Sequence, residues 1–252
     1  MTTAALPVID AQNLQIRVGQ HALLREVTLS IAAGERVAIV GHNGAGKSSL
    51  LRALTGFNAV DAGALSVLGF ALQQAHARPP RELRMLRSRI AQVHQGLCLV
   101  GRLSVLDNVL IGGAARSPTW LTWLRRWPLH ERERAVTALR RVGMAWAAGR
   151  RTDTLSGGER QKVAIARALH QDAPVLLADE PTASLDAEAA EEVVSLLATV
   201  VAERRATFVC VVHDLDLVPR LADRVIVLRR GQLVADMRVH VGIAGELREV
   251  LR

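Results

Sequence analysis

Tyrosine is absent from this 252-residue chain, and aromatic residues make up only 3% of it. Surfaces that grip single-stranded nucleic acid depend on aromatic faces for base stacking, so this scarcity weighs against that role. The two cysteines, Cys98 and Cys210, form neither a metal-ligand spacing nor a disulfide framework, and a reducing compartment suits them. Both read as small core or near-core residues. No apolar run approaches the roughly 18 residues of a membrane span. The stretch Met1 to Pro7 lacks the charged and apolar regions of a secretory signal. Any membrane role therefore has to come through a partner.

Half of the residues are hydrophobic and the net charge is +8. That composition supports one large α/β domain, or one domain with an insert. A basic balance suits nucleic acid, an anionic surface or an acidic partner. Here the arginines are scattered rather than gathered into a tail.

The most informative stretch is Gly41-His42-Asn43-Gly44-Ala45-Gly46-Lys47-Ser48. An apolar run, Arg36 to Val40, precedes it and reads as a buried strand. Ser49 to Leu54 follows and reads as a helix. Strand, glycine-rich loop and helix together make the spacing G-x-x-x-x-G-K-S a phosphate site. The glycines let backbone N–H groups converge on an anion, and the helix start adds its positive end. Lys47 is expected to reach the β- and γ-phosphates, and the Ser48 hydroxyl to ligate Mg²⁺.

Before this loop, Val8 to Val18 alternates as a strand with Leu14, Ile16 and Val18 on one face, and Leu23 to Ile31 forms a second strand. Asp61-Ala62-Gly63 reads as a turn into a strand over Ala64 to Leu68. Pro79-Pro80 opens an arginine-rich helix, and Ile90 to Val93 is a short strand ending at His94-Gln95. Residues 104–148 read as helices. Ser156-x-x-Glu159 is a capping box for a long helix that Pro174 ends. Val175 to Ala178 is a buried strand running into Asp179 and Glu180. A helix over Ala187 to Arg205 and a strand over Thr207 to Val212, ending at His213, complete the alternation. A hairpin over Arg230-Gly231 follows. Such alternation predicts a mainly parallel sheet, with active residues at the carboxyl ends of its strands.

A carboxylate at the end of a strand, Asp179, can hold Mg²⁺ opposite Ser48. Glu180 is assigned to polarising an attacking water. Ser156-Gly157-Gly158 opens a helix with bare N–H groups, which capping alone does not need; it reads as a second anion site. At this point the chain resembles the ATP-binding subunits of ABC transporters, on Leu155-Ser156-Gly157-Gly158 followed by Glu159-Arg160-Gln161-Lys162. The resemblance covers about residues 8–235.

The resemblance implies an α/β P-loop NTPase fold of the ABC type. That fold has a mainly parallel core sheet, an antiparallel N-terminal β part and an inserted helical subdomain. Residues 7–239 would form the ATP-binding domain, with the insert at about 84–164, and 240–252 a C-terminal tail. It implies ATP and Mg²⁺ as cofactors, with Ser48, Gln95 and Asp179 at the metal. Catalysis falls to Glu180, His213 and Gln95. Nucleotide contacts fall to 41–48, Ser49, Ser156, Gly157, Gly158, Glu159 and Asp186. Two copies would pair head to tail over ATP. Val18 stands where the family places an aromatic for adenine. The implied partners are a second copy, membrane permease subunits and, indirectly, an extracytoplasmic substrate-binding protein; nucleic acid is not expected. The implied place is the cytoplasmic face of the cell membrane.

The run from Leu99 to Leu110 resembles the phosphonate and phosphite importer ATPases. Trp120, Trp123 and Trp127 fall on one helical face, as insert core or as a groove for a partner helix. Three alternatives stay open: an exporter or other importer ATPase, an ABC-type ATPase acting on nucleic acid, and a small-molecule phosphotransferase.

Overall fold

A computed structural model describes residues 7–73, 79–117 and 126–252. Trp120 and Trp123, singled out in the sequence, lie outside the described residues. The chain divides into two compact units, Met1–Arg87 with Val201–Arg252, and Ser88–Val200.

The first unit opens with β1 (Ile9–Val18) and β2 (His21–Ile31), paired antiparallel around the Gly19-Gln20 turn. With β4 (Ala62–Val67) and β5 (Phe70–Ala71) they form an antiparallel sheet in the order β2-β1-β4-β5. Simple alternation along β1 fails. Ile9 and Ala11 are buried, but so are Leu14 and Ile16, which lie on the other parity. A bulge at Asn13, whose φ is 50°, reverses the parity. Val18, expected on the buried face, is instead 60% exposed at the strand's end. Gly63, expected in a turn, lies inside β4 opposite the bulge. A Cβ there would sit 2.2 Å from the Asn13 carbonyl oxygen.

β3 (Arg36–Val40) has the bounds its apolar run predicts. It pairs parallel with β8 (Thr207–Val211) and with β9 (Arg224–Arg229), and β10 (Gln232–Arg238) closes antiparallel onto β9. The expected hairpin turn is present, with Arg230 at φ 50° and Gly231 at φ 81°. α1 (Lys47–Leu54) leaves β3 through the glycine loop and buries Leu50, Leu51, Ala53 and Leu54. α2 (Pro80–Ser88) is helical from its second proline. α7 (Val218–Leu221) follows β8, and the segment expected as a C-terminal tail contains α8 (Ile243–Leu251), which buries Ile243 and Leu247 completely.

The second unit pairs β6 (Ile90–Val93) parallel with β7 (Val175–Asp179). Its helices are α3 (Val105–Leu110), α4 (Leu129–Arg141) and α5 (Gly157–Gln171). α6 (Ala187–Arg204) starts in this unit and runs past Val200. Asn108 is fully buried and ties α3 down. Its side-chain nitrogen donates to Val100 and Ser104 carbonyls and to the Thr152 hydroxyl, and its Oδ1 accepts from the Val100 N–H. α5 ends before Pro174, because Asp172 turns left-handed at φ 58°. Cys210 is buried as expected, but Cys98 is exposed, because the loop after β6 turns it outward.

The end of α5 carries a buried polar cluster. Arg116 donates to both Glu131 oxygens, at 3.0 and 2.8 Å, and to the His170 and Gln171 carbonyls, both at 2.7 Å. It thereby satisfies carbonyls that the helix itself leaves open. Glu131 Oε2 also lies 3.1 Å from His170 Nε2. A Cβ at Gly113 would fall 2.5 Å from that nitrogen, so only glycine fits. His170 Nδ1 is buried with no partner among the described residues, which favours the neutral ring with Nε2–H donating to Glu131. Burial first, and Arg116 second, push the His170 ring down to about 4, while the Arg116 hydrogen bond holds the Glu131 carboxyl below its usual range.

The unfolded chain takes up a proton on histidine near 6.5 and the folded chain only near 4. This contribution to stability is therefore whole above pH 6.5 and is lost as pH falls toward 4. At pH 5 the loss is about 2 kcal/mol relative to pH 7.5. In denaturant unfolding at the two pH values, His170→Gln is expected to lose about that much less than the parent. An equal loss in parent and variant would assign the pH dependence elsewhere.

Candidate phosphate-binding site

The glycine loop after β3 is shaped by crowding within its own chain. A Cβ on Gly41 would lie 2.2 Å from the Leu228 carbonyl oxygen, and one on Gly46 would lie 2.6 Å from that of Leu23. These two glycines are required before any ligand arrives, which the sequence reading attributed to ligand approach alone. Gly44, at φ 78°, faces open space, and its left-handed backbone is what the turn requires.

Lys47 is the first residue of α1 and only 4% exposed. A buried ammonium needs acceptors. Its Nζ donates to the Gly41 carbonyl at 2.8 Å and the His42 carbonyl at 3.1 Å. Ala45 is buried; Ser48 and Ser49 are half-buried, and His42, Asn43 and Gly44 are exposed. A buried cation at a helix start whose first N–H groups the helix does not use suits a multiply charged anion. His213, in the same unit, follows β8 and is exposed.

Gln95, Asp179, Glu180, Ser156 to Glu159 and Asp186 belong to the second unit. There the structure brings Gln95 and Glu180 together: Gln95 Nε2 donates to Glu180 Oε2 at 2.9 Å. Asp179 ends β7, half-buried. Glu180 sits left-handed at φ 50°, so the chain is no longer extended there. Asp186 Oδ1 accepts from the Ala189 N–H at 2.8 Å and caps α6.

The capping box at α5 is complete. The Ser156 hydroxyl accepts from the Glu159 N–H at 3.2 Å, and the Glu159 carboxylate accepts from the Ser156 N–H at 2.7 Å. Gly157 and Gly158 occupy the first helical positions, whose N–H groups the helix does not use. Packing explains one of the two glycines. A Cβ at Gly158 would crowd Ala189 at 3.1 Å, whereas one at Gly157 would meet Leu185 at an ordinary 3.6 Å. Gly157 leaves exposed backbone that the fold does not demand. A cavity of about 380 Å³ in this unit is lined by Gln95, Leu97, Leu99, Gly157, Gln161 and Leu185. The buried Gln161 Nε2 has no partner among the described residues.

One contact escapes sequence reasoning. Leu97 and Cys98, just after Gln95, are both left-handed, at φ 56° and 48°. Arg167, from the middle of α5, donates to both of their carbonyls at 2.6 Å. The signal was present: an arginine stands inside the stripe of Val163, Ala166 and Leu169. Burial lowers its pKa from the usual arginine value.

A family model described as ABC transporter matches residues 24–183. The chain is 46% identical to a phosphonates import ATP-binding protein of Cupriavidus pinatubonensis, over 84% of this chain and 76% of that protein. It is 44% identical to a phosphate-import ATP-binding protein of Mycolicibacterium smegmatis, over 91% of this chain and 86% of that one. A dimeric ATP-binding cassette solved in a post-hydrolysis state with ADP and phosphate superposes with a TM-score of 0.77. It is 28% identical, and the match covers 92% of this chain and 99% of that one.

The Arg167 clasp has a direct test. Removing a charged donor from two carbonyls costs about 2 kcal/mol, so Arg167→Met should lower unfolding free energy by that order. It should also speed hydrogen exchange at the Leu97 and Cys98 amides, which donate to the His94 and Gly96 carbonyls. Exchange at parental rates would mean that the loop keeps its shape without the arginine.

Proposed function

Because the chain belongs to the ABC transporter family, we propose that it is the ATP-hydrolysing motor subunit of an importer for phosphonate or a related phosphorus oxyanion. The observation that carries the reading is the presence in one chain of two anion-ready helix starts, at Lys47 and at Gly157, the second with backbone that packing leaves unexplained. Two such ends suit a nucleotide held between two copies, one giving residues 41–48 and the other Ser156 to Gly158. The relatives' names support import of a phosphorus compound, and the dimeric cassette supports pairing. Permease subunits would tie the protein to the cytoplasmic face of the membrane. Among the described residues, no helix is long and apolar enough to cross it.

The donor set fits a magnesium–triphosphate complex. The glycine cradle has no room for side chains at Gly41 and Gly46, and the nearby cation is the buried Lys47. The Ser48 hydroxyl, the Gln95 side-chain oxygen and the Asp179 carboxylate would hold Mg²⁺, which supplies charge neutralisation at the β- and γ-phosphates. Lys47 would bring its charge to the phosphate oxygens in a charge-assisted pairing. Glu180, released from Gln95, orients the water that attacks the γ-phosphorus in line and draws its proton. The bond to the bridging oxygen breaks, giving ADP and phosphate. His213 is assigned to the γ-phosphate. The exposed Val18 offers the base apolar contact with little stacking.

A second reading, import of inorganic phosphate, is favoured by the mycobacterial relative's name. Growth of the source organism on a phosphonate as sole phosphorus source separates the two. Deleting this gene should abolish that growth but leave growth on phosphate intact; loss of growth on phosphate instead would favour the second reading. In purified protein, Lys47→Ala should weaken ATP binding at least about tenfold by equilibrium titration. Glu180→Gln should cut turnover roughly 10²- to 10³-fold and accumulate an ATP-bound dimer by size-exclusion chromatography with light scattering. Parental turnover in Glu180→Gln would remove Glu180 from its role.

A further inference from the structure

The C-terminal helix α8 reaches two segments that the proposed function uses, all within the first unit. His42 Nε2 lies 2.6 Å from the Leu251 carbonyl oxygen, at the last turn of α8. The same histidine's backbone carbonyl accepts from Lys47 Nζ at 3.1 Å. One residue of the glycine loop thus carries the helix end on its ring and the lysine ammonium on its backbone. One turn back along α8, the Arg248 guanidinium donates to Asp216 at 2.7 Å. Asp216 lies three residues beyond His213, and its N–H is held by the Asp214 carboxylate at 3.0 Å. On the N-terminal side of these contacts, Ile243 and Leu247 are fully buried, so α8 is a fixed support.

We propose that α8 is a positioning element of the nucleotide site, with His42 and Arg248 as its positioning residues. His42, anchored on the Leu251 carbonyl, sets the loop conformation from which Lys47 meets the phosphates. Arg248, through Asp216, sets the segment that carries His213. A loop already held in shape loses less conformational freedom when the phosphates arrive, so the helix acts on affinity through pre-organisation. Nothing in the phosphate-loop spacing asks for histidine at its second position, and the contact gives that residue a purpose. This inference rests on reading residues 41–48 as the nucleotide site.

The two contacts predict different kinetics. His42→Ala should raise the Kd for ATP and the KM about three- to tenfold, with kcat within about twofold, as for one surface hydrogen bond acting on binding. His42→Gln keeps a donor for the Leu251 carbonyl and should return both constants to within about twofold of the parent. Arg248→Ala should lower kcat severalfold at nearly parental Kd, because its effect reaches the segment after His213. Thermal melts of all three should stay close to the parent. His42→Ala with parental Kd and KM overturns the proposal. So does a His42→Gln that behaves like His42→Ala, or a uniform loss of kcat and affinity that tracks a fall in melting temperature. A parent protein that binds no ATP sinks the reading of the site itself, a failure visible before any variant is made.

Discussion

A lysine ammonium almost wholly removed from water is the constraint on which the first unit depends. Burying a cation is costly unless acceptors replace its hydration. Two of the replacements are carbonyls of its own loop, and the loop can present them only because Gly41 and Gly46 press against the Leu228 and Leu23 backbones without a Cβ between. The backbone approach that fixes the loop therefore also fixes where the ammonium stands, at the first residue of α1. An anion placed there would meet that charge and the helix's positive end together.

The second unit is organised along one helix. α5 is fixed at its start by the capping box, in its middle by Arg167 on the loop after Gln95, and at its end by Arg116 on the His170 and Gln171 carbonyls. Each attachment satisfies backbone groups that would otherwise be orphaned. The loop holding Gln95 is thus tied to the body of the helix whose first turn bears Gly157. A shift of α5 along its axis would disturb both.

Much of this was legible in the sequence, and the parts that were not share a physical reason. β3 and β6 have the bounds their apolar runs predict, and the capping box follows from Ser156 and Glu159 alone. These features are local: a few neighbouring residues decide them. The bulge at Asn13 was missed because it depends on the Asn13 backbone meeting Gly63 across the sheet. The left-handed Leu97 and Cys98 are not legible locally, because the arginine that holds their carbonyls stands 70 and 69 positions on. α8 reads as a tail in the sequence because its amphipathic pattern is short. Its burial comes from tertiary packing rather than propensity. Positions of motif residues could be read, whereas the contacts that hold them had to be seen.

The cargo lies beyond both kinds of legibility, for a chemical reason. Every residue assigned to the reaction acts on a triphosphate, on its metal or on water. None has a task that changes with the molecule being moved. Two relatives of nearly equal identity carry names for different phosphorus compounds, as expected if the cassette supplies free energy while recognition resides in other chains. Differences that matter to cargo would have to reach this chain through surfaces that meet the permease. The sequence around Leu99 to Leu110, which resembles phosphonate importers, lies immediately after the Gln95 loop and includes all of α3. On the proposed function, its likeness would report a matched permease, and only through that permease a substrate.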